Sequence, residues 1–482
     1  MGDFLSERDI ASHPLHLVHA AAGPYLDALD TRPVRDPAAQ DLIADLDGPL
    51  PVSGVGAEAS VAALVRVATA AAVHSSGPRF YHFVVGGSTP AAMAGDWLAS
   101  LIDQAAGLWT ASPLAGRVET IVLRWLRQLF GLPTDGGGVL TPSATFANLT
   151  GLACARYWWA RQHGVDVTAH GLAGLPPMPV LASGYVHPSV RKALQILGCG
   201  RDGVRTFAAD DSGRLDLDAL DAALSEVDGP AIVVASAGEV NTGDFDPIAD
   251  MADVASRHGA WLHVDGAFGL FVALSPRTAH LVRGVERADS ISADGHKWLN
   301  VPYESGFAFV RDASLLERAF GSWGAAYLSP DDLAGDGTDV DYNRLGPESS
   351  RRNRAFPIWA TLRAYGQEGY RAMVERHLDV AAHLGTLVDA APDLELLAPV
   401  RSCVVCFRYR PPGAPAHELD ALNAALGKEL LRDGRVYAGT TVYRGTTALR
   451  PAIVNWRTTE SDVALLVSVV RELGARLSDR PS

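Results

Sequence analysis

The sequence predicts an α/β protein whose central sheet is mainly parallel and is flanked by helices. Three apolar runs have the length and composition of buried strands: residues 179–182, 231–235 and 261–264. Helical patterns separate these runs; residues 216–224 begin with an acidic first turn, and residues 247–255 begin with a proline. Regular alternation of strands and helices favours parallel pairing, because each crossover helix returns the chain to the same edge of the sheet.

The length of the chain predicts more than one domain. The 482 residues, of which 48% are hydrophobic and 20% charged, suit a soluble globular protein of two or three domains. We expect an N-terminal arm, a large α/β domain and a small C-terminal α+β domain, over residues 1–60, 61–355 and 356–482.

Two features refine this organisation. In the small domain, we expect strands around Val404 and Val454 and a last helix near residues 465–477. Residues 322–350 are rich in glycine, aspartate and proline. A segment of that length without regular structure is typical of a mobile loop that covers an active site, or of a disordered segment.

Charge, hydropathy and cysteine content exclude several classes of protein. The formal net charge of −14 at pH 7 gives no basic surface for nucleic acid. No apolar stretch reaches the roughly 18 residues of a membrane helix, and the first residues lack the features of a signal peptide. We therefore expect a cytoplasmic protein. Cys403 and Cys406 lie in a predicted strand over residues 403–409, and without a second Cys or His pair nearby no metal site is predicted.

Lys297 is the first candidate catalytic residue. It follows a short apolar strand at Ile291 and precedes Trp298. Lysine is rarely buried without a role, and a partly buried lysine can condense with a carbonyl group. The alternative is an ordinary surface lysine in a loop.

Asp265 directly follows the apolar run at residues 261–264. A carboxylate at the carboxyl end of a parallel strand lies where α/β proteins bind ligands. An aspartate that faces a pyridine nitrogen keeps this nitrogen protonated, and Gly266 and Ala267 leave room for a flat ring. The alternative is a helix N-cap.

Two further segments complete the candidate site. A glycine-rich turn at residues 136–138 leads through Ser143 and Thr145 into a helical pattern. Hydroxyl and N–H groups at the start of a helix can bind a phosphate, although an ordinary capped helix has the same pattern. His187 lies between a strand and a helix, where its imidazole could stack on a cofactor ring or have a structural role.

The order of these segments resembles that of fold-type I enzymes dependent on pyridoxal 5′-phosphate (PLP). The detailed similarity is to the group II amino-acid decarboxylases, the family of the aromatic-amino-acid and glutamate decarboxylases. Residues 294–298 resemble its Asn/Asp-x-His-Lys-Trp signature, and residues 263–267 resemble its His-x-Asp-Ala-Ala. Two further blocks agree, at residues 111–119 and 449–457.

The resemblance implies that PLP is the cofactor and that Lys297 holds it as a Schiff base. Asp265 would bind the pyridine nitrogen, while Ala267 would pack on one ring face and His187 on the other. Residues 238–243 replace the family's Gly-Thr-Thr, which leaves Asn241 or Thr242 to contact the ring hydroxyl. The residues implied to bind the phosphate are Ser143, Ala144, Thr145, Ser290, Asp294 and His296.

The resemblance predicts decarboxylation of an L-amino acid to the corresponding amine and CO2. Lys297, Tyr327 and His187 would be catalytic, and Tyr327 lies near the family's proton-donating loop tyrosine. Aldehyde-forming relatives carry phenylalanine there, so Tyr327 favours simple decarboxylation. An aminotransferase, an oxidative decarboxylase-deaminase or a C–C lyase on the same fold is an alternative, and a non-catalytic PLP-binding protein is a more distant one. The family also implies a homodimer in which the arm at residues 1–60 serves dimerisation and the large domain at residues 61–355 binds PLP. Residues 83–90 match neither named subgroup, so the substrate stays open.

Overall fold

The computed structural model describes residues 4–321 and 339–479. The chain forms two units. Unit 1 comprises Met1–Val85, Ala382–Ala398 and Val405–Ser482, and unit 2 comprises Gly86–Ala381 and Pro399–Val404. Tyr327 and most of the predicted loop lie outside the described residues.

Most of the described chain between the strands is helical. The α-helices are α1 (His13–Ala28), α2 (Ala57–Ala71), α3 (Pro90–Ile102), α4 (Pro113–Phe130), α5 (Ala144–Gln162), α6 (Val167–His170), α7 (Pro188–Ile196), α8 (Leu217–Ser225), α9 (Ile248–Arg257), α10 (Ser314–Phe320), α11 (Ala355–Ala390), α12 (Leu419–Asp433) and α13 (Glu460–Ser478). Helix α8 confirms the acidic start, since the Asp216 side chain accepts a hydrogen bond from the Ala219 N–H. Helix α11 is broken at Gly366, whose φ of 61° is left-handed.

Unit 2 is built on a seven-stranded sheet. Its strands are β1 (Gly137–Thr141), β2 (Val180–Ala182), β3 (Val204–Thr206), β4 (Ile232–Ser236), β5 (Trp261–Asp265), β6 (Ser290–Asp294) and β7 (Gly306–Val310). The order is β1-β7-β6-β5-β4-β2-β3. Strands β2 to β6 pair in parallel, whereas β7 is antiparallel to both β1 and β6. The predicted mainly parallel sheet is confirmed, and the three apolar runs form β2, β4 and β5.

Helix α5 packs directly on this sheet. A Cβ at Gly151 would lie 3.0 Å from the imidazole of His263 and 3.0 Å from the Cβ of Ser290. The absence of a side chain at this position therefore allows the helix to approach β5 and β6 closely. Helix α5 contributes its first residues and one buried amide to the candidate site.

A buried ion pair joins α4 to the chain that precedes α11. Arg351 contacts both carboxylate oxygens of Glu119, at 2.7 and 3.1 Å, and the two side chains are 2% and 1% exposed. Glu119 also accepts from the Leu140 N–H, and Arg351 donates to the Leu140 carbonyl. The paired charges are thereby hydrogen-bonded, as buried charges must be.

Unit 1 contains a four-stranded antiparallel sheet. Its strands are β8 (Leu394–Leu396), β9 (Phe407–Tyr409), β10 (Thr440–Tyr443) and β11 (Thr446–Leu449), in the order β10-β11-β9-β8. The predicted strand over residues 403–409 begins only at Phe407; Val404 forms only an isolated β-bridge, and Val454 lies in no strand. The Val405 N–H donates to the carbonyl of Pro451, but proline has no N–H with which to continue a ladder.

The described residues also bear on membrane-spanning helices and metal sites, neither of which the sequence predicts. None of their helices is both long enough and apolar enough to cross a membrane. They contain no group of three or more His, Cys, Asp or Glu side chains that could hold a metal ion. Cys403 and Cys406 are buried, and burial raises the pKa of the Cys403 thiol.

Candidate active site

Two carboxylates and one amine meet at the carboxyl edge of the large sheet. Asp265 ends β5 and Asp294 ends β6, and these strands are parallel neighbours. Ligands of α/β proteins bind at this edge. Lys297 follows three residues later, and its Nζ lies 3.0 Å from Oδ2 of Asp294. The lysine side chain is 18% exposed, so the amine is partly buried and still accessible.

The backbone on either side of Lys297 is fixed by close contacts. The Gly86 N–H donates to the His296 carbonyl at 3.2 Å. A Cβ at position 86 would lie 1.7 Å from the Lys297 carbonyl oxygen, so only glycine fits there. On the other side, the buried Trp298 donates from Nε1 to Nδ1 of His377 at 2.9 Å. Lys297 therefore has a defined position although it lies outside regular structure.

Asp294 connects the lysine to helix α5. Its Oδ1 accepts a hydrogen bond of 2.5 Å from the Ala144 N–H, in the first turn of α5, and lies 3.5 Å from Nε2 of His296. Negative charge is stabilised at a helix N-terminus. The carboxylate thus uses one N–H that the sequence assigns to a phosphate.

The Asp265 carboxylate is held on both oxygens. Its Oδ1 accepts from the Ala267 N–H at 3.2 Å, and its Oδ2 accepts from Nδ2 of Asn148 at 3.0 Å. The residue is 5% exposed. Such contacts restrict the carboxylate to one orientation, as a fixed partner for a ligand at the sheet edge requires.

The start of α5 lies close to the sheet. Ser143 is the N-cap residue, but its side chain makes no capping hydrogen bond. A Cβ at Gly306 of β7 would lie 2.5 Å from the Ser143 carbonyl carbon, so the strand passes directly beside the N-cap. Ser143 and Thr145 are half-buried. Their hydroxyl groups can therefore donate hydrogen bonds to an anion at this end of the helix.

His187 and His296 both have structural contacts. His187 is the N-cap of α7, and its Nδ1 accepts from the Ser189 N–H at 3.2 Å. His296 accepts at Nδ1 from the Ser305 N–H at 3.3 Å and stacks on Tyr303 with ring centroids 4.1 Å apart. Burial lowers the pKa of His296, which favours the neutral imidazole.

Three of the predicted site residues have other partners. Ser290 begins β6, about 13 Å along the strand from its carboxyl end, and its hydroxyl contacts Trp261 and His263. This placement corrects its predicted role at the phosphate, because the signature motif says nothing about distance along the strand. Asn241 and Thr242 both donate side-chain hydrogen bonds to the buried Glu239.

The sequence interpretation assigned no role to two polar residues that lie behind Asp265. Asn148 and His263 are fully buried and lie 2.8 Å apart, between Oδ1 and Nε2. Burial lowers the pKa of His263 to about 4. One signal was present: His263 is the only polar residue before Asp265 in an otherwise apolar strand. Asn148 lies four residues after Ala144, which places both on one face of α5.

Comparisons with known proteins agree with this geometry. Residues 62–410 match the pyridoxal-dependent decarboxylase conserved domain. The chain is 33% identical over 448 residues to the L-2,4-diaminobutyrate decarboxylase of Rhizobium meliloti (strain 1021), covering 90% of this chain and 86% of that protein. It is 30% identical over 420 residues to the cysteine sulfinic acid decarboxylase of Homo sapiens, covering 84% of each.

A solved structure extends the similarity to the whole fold. The crystal structure of Oryza sativa TDC with PLP and tryptamine matches with a TM-score of 0.88 at 28% identity, over 99% of this chain and 100% of that chain. The present chain therefore combines two kinds of evidence. Its sheet places an aspartate at the end of β5 and a lysine beyond β6, and its sequence matches the pyridoxal-dependent decarboxylase domain over most of its length. The chain belongs to the pyridoxal-dependent decarboxylase family, as a PLP-dependent carboxy-lyase that acts on an amino acid.

Proposed function

We propose that the enzyme converts an L-amino acid into the corresponding amine and CO2, with Lys297 as the residue that binds PLP covalently. One observation carries this proposal. The amine of Lys297 lies 3.0 Å from Asp294 at the end of β6, and the buried Asp265 ends the neighbouring strand. A reactive amine and a carboxylate for a ring nitrogen are the two groups that PLP chemistry requires.

The remaining residues at this edge suit the other parts of PLP. Ser143 and Thr145 supply hydroxyl groups at the start of α5, where the helix dipole favours a phosphate. Ala267 has a small side chain that leaves space for one face of a flat ring, and His187 is the proposed partner of the other face. Bound PLP supplies the electron sink that stabilises the charge left at Cα when CO2 departs.

Residues of the chain position the Lys297 amine and supply protons to the ring nitrogen and to Cα of the substrate. Asp294 orients the Lys297 amine through their 3.0 Å contact, and Asp265 holds a proton on the ring nitrogen. Nδ1 of His187 accepts a hydrogen bond, so the proton of its neutral form is on Nε2. Tyr327 is the proposed proton donor to Cα, on the resemblance alone, and His187 is the second candidate.

The structure gives less support to the predicted cofactor contacts of Asn241, Thr242 and His296. Asn241 and Thr242 bind Glu239, so a role at the ring hydroxyl would require them to exchange partners. His296 stacks on Tyr303 beside Asp294 and is proposed to support that carboxylate. Ser290 is not part of the proposal.

A homodimer in the cytoplasm is proposed as the setting. Helix α1 has no buried residue, and Leu15 is 55% exposed. Apolar side chains of this kind on an N-terminal arm favour burial against a partner subunit.

The test is to incubate the PLP-loaded enzyme with pooled L-amino acids and to follow CO2 and amines by mass spectrometry. Lys297→Ala is the control. We expect one amine that is absent with the variant. An aldehyde, a keto acid or no product would overturn decarboxylation; the first two would indicate the alternative PLP reactions.

A further inference from the structure

The side-chain amide of Asn148 is the centre of a buried hydrogen-bond network behind Asp265. Its Nδ2 lies 3.0 Å from Oδ2 of Asp265 and 3.1 Å from Oγ of Ser189. Its Oδ1 lies 2.8 Å from Nε2 of His263 and 2.5 Å from Oγ of Ser292. The residue is fully buried. Both N–H donors and both acceptor sites of the amide are therefore used.

The orientation of this amide follows from Asp265. A carboxylate can only accept hydrogen bonds, so the atom of Asn148 that faces it must be the nitrogen. The reverse orientation would place two acceptor oxygens 3.0 Å apart in a buried site. Oδ1 of Asn148 consequently faces His263 and accepts from its Nε2–H.

The donors and acceptors are equally well defined at the other end of the network, around His263, Ser290 and Trp261. Burial lowers the pKa of His263 to about 4, so its imidazole is neutral and Nδ1 is an acceptor. The Ser290 hydroxyl, 2.8 Å away, donates to this nitrogen. Ser290 in turn accepts from Nε1 of Trp261 at 3.0 Å, and an indole can only donate. Every hydrogen bond from Trp261 to Asp265 therefore points towards the carboxylate.

A second arm of the network reaches His187. Ser189 accepts one N–H of Asn148, so its own hydroxyl hydrogen is directed to Nδ1 of His187 at 2.7 Å. The Ser189 N–H also donates to this nitrogen. With Nδ1 occupied by donors, the neutral imidazole carries its proton on Nε2. One amide thus acts on both of the side chains proposed to contact the cofactor ring.

We propose that Asn148 is a positioning residue of the cofactor site, which holds Asp265 against the ring nitrogen and, through the Ser189 hydroxyl, supports the tautomer of His187 that the Ser189 N–H already favours. The inference rests on the proposed function, because the contacts of Asp265 and His187 with PLP are part of that proposal. Without Asn148, Oδ2 of Asp265 loses its buried side-chain donor, and the carboxylate is held only through Oδ1, by the Ala267 N–H and the Ser292 hydroxyl.

The test uses Asn148→Leu, which keeps the number and branching of the side-chain heavy atoms and removes the amide. Thr150→Val is the matched control, since Thr150 is fully buried in the same helix and its hydroxyl donates to the Phe146 carbonyl. Dissociation constants of the apo-enzyme are measured for PLP and for 1-deaza-PLP, in which carbon replaces the ring nitrogen. The ratio of the two constants reports the contact with Asp265 and cancels general damage to the fold.

In Asn148→Leu, we expect PLP to bind roughly tenfold more weakly and 1-deaza-PLP to change much less. Thr150→Val should leave the ratio of the two constants unchanged. If Asn148→Leu weakened the binding of PLP and of 1-deaza-PLP equally, the role of Asn148 would be purely structural and the proposal would be overturned. Equal binding of both ligands by the unaltered enzyme would also overturn it, whereas failure to bind either would contradict the proposed function itself.

A second variant covers the case in which Asn148→Leu does not fold. Asn148→Asp keeps the shape and sets a second carboxyl group against Oδ2 of Asp265. When that group loses its proton, it repels Asp265 instead of donating to it. We expect the preference for PLP over 1-deaza-PLP to fall as the pH rises. A preference that does not vary with pH would overturn the proposal.

Discussion

Asp294 binds the Lys297 amine through Oδ2, at 3.0 Å, and the Ala144 N–H at the start of α5 through Oδ1, at 2.5 Å. A single carboxylate therefore lies between the reactive amine and the helix end that is proposed to hold the phosphate. This carboxylate and the phosphate are both anionic, and like charges at short range repel each other.

The first prediction concerns Asp294→Asn. The amide keeps an oxygen for the Ala144 N–H and removes the negative charge, so we expect the apo-enzyme to bind PLP several-fold more tightly. Pyridoxal, which lacks the phosphate, should change less. Both affinities can be measured by equilibrium titration. Weaker PLP binding in the variant would show instead that the ion pair with Lys297 dominates.

The second prediction concerns acid stability. The pKa of His263 is lowered to about 4 in the folded enzyme, against about 6.5 in an unfolded chain. The unfolded state binds the proton more strongly between these values, so stability is lost as the pH falls from 6.5 towards 4, by about 3 kcal/mol. His263→Gln can still donate to Asn148 but does not titrate. Denaturant unfolding at pH 7 and pH 4.5 should show a smaller loss in the variant; an identical loss in both proteins would contradict the assignment.

The third prediction concerns the pair of Glu119 and Arg351. Removal of one partner leaves a buried charge unpaired, so Arg351→Met should lower the free energy of unfolding by about 3–5 kcal/mol. Adding Glu119→Leu should restore part of that loss. The exposed pair of Arg277 and Asp379 is the control, since its side chains are 51% and 58% exposed and Arg277→Ala should cost about 1 kcal/mol or less. Urea denaturation measures all three, and equal effects at both sites would contradict the prediction.

The fourth prediction concerns Gly86→Ala. A Cβ there would lie 1.7 Å from the Lys297 carbonyl oxygen, so the lysine backbone must move. We expect the variant to fold but to lose most of its covalent PLP, measured as bound cofactor after borohydride reduction and dialysis. Gly23→Ala is the control, because nothing lies within 4 Å of a Cβ at that position. Full PLP retention in Gly86→Ala would show that the contact does not position Lys297.

The fold was predictable where local pattern and burial agree. Strands β4 and β5 are short, apolar and buried on both faces, which is the pattern of a central parallel strand. Val404 and Val454 are equally buried but lie outside strands. Burial makes a segment apolar whether or not it pairs, so composition alone does not distinguish the two cases.

The candidate site was predictable only in part. Asp265, Asp294 and Lys297 follow apolar strands, and topology brings strand ends together. Ser290 lies in the same strand as Asp294 but at its other end, and a motif match does not reveal that distance. Asn148 was missed because its role depends on α5 packing over β5 and β6, a relationship between segments more than 100 residues apart in sequence.

The ion pair of Glu119 and Arg351 has a consequence for association between molecules. Strand β1 lies at one of the two edges of the large sheet, and Leu140 directs its N–H and carbonyl to these two side chains. An outer strand with open backbone groups can recruit a strand from another molecule and begin aggregation. A strand added along β1 would first have to displace a buried guanidinium and a buried carboxylate, so the same pair that joins α4 to the chain before α11 also blocks that edge of the sheet.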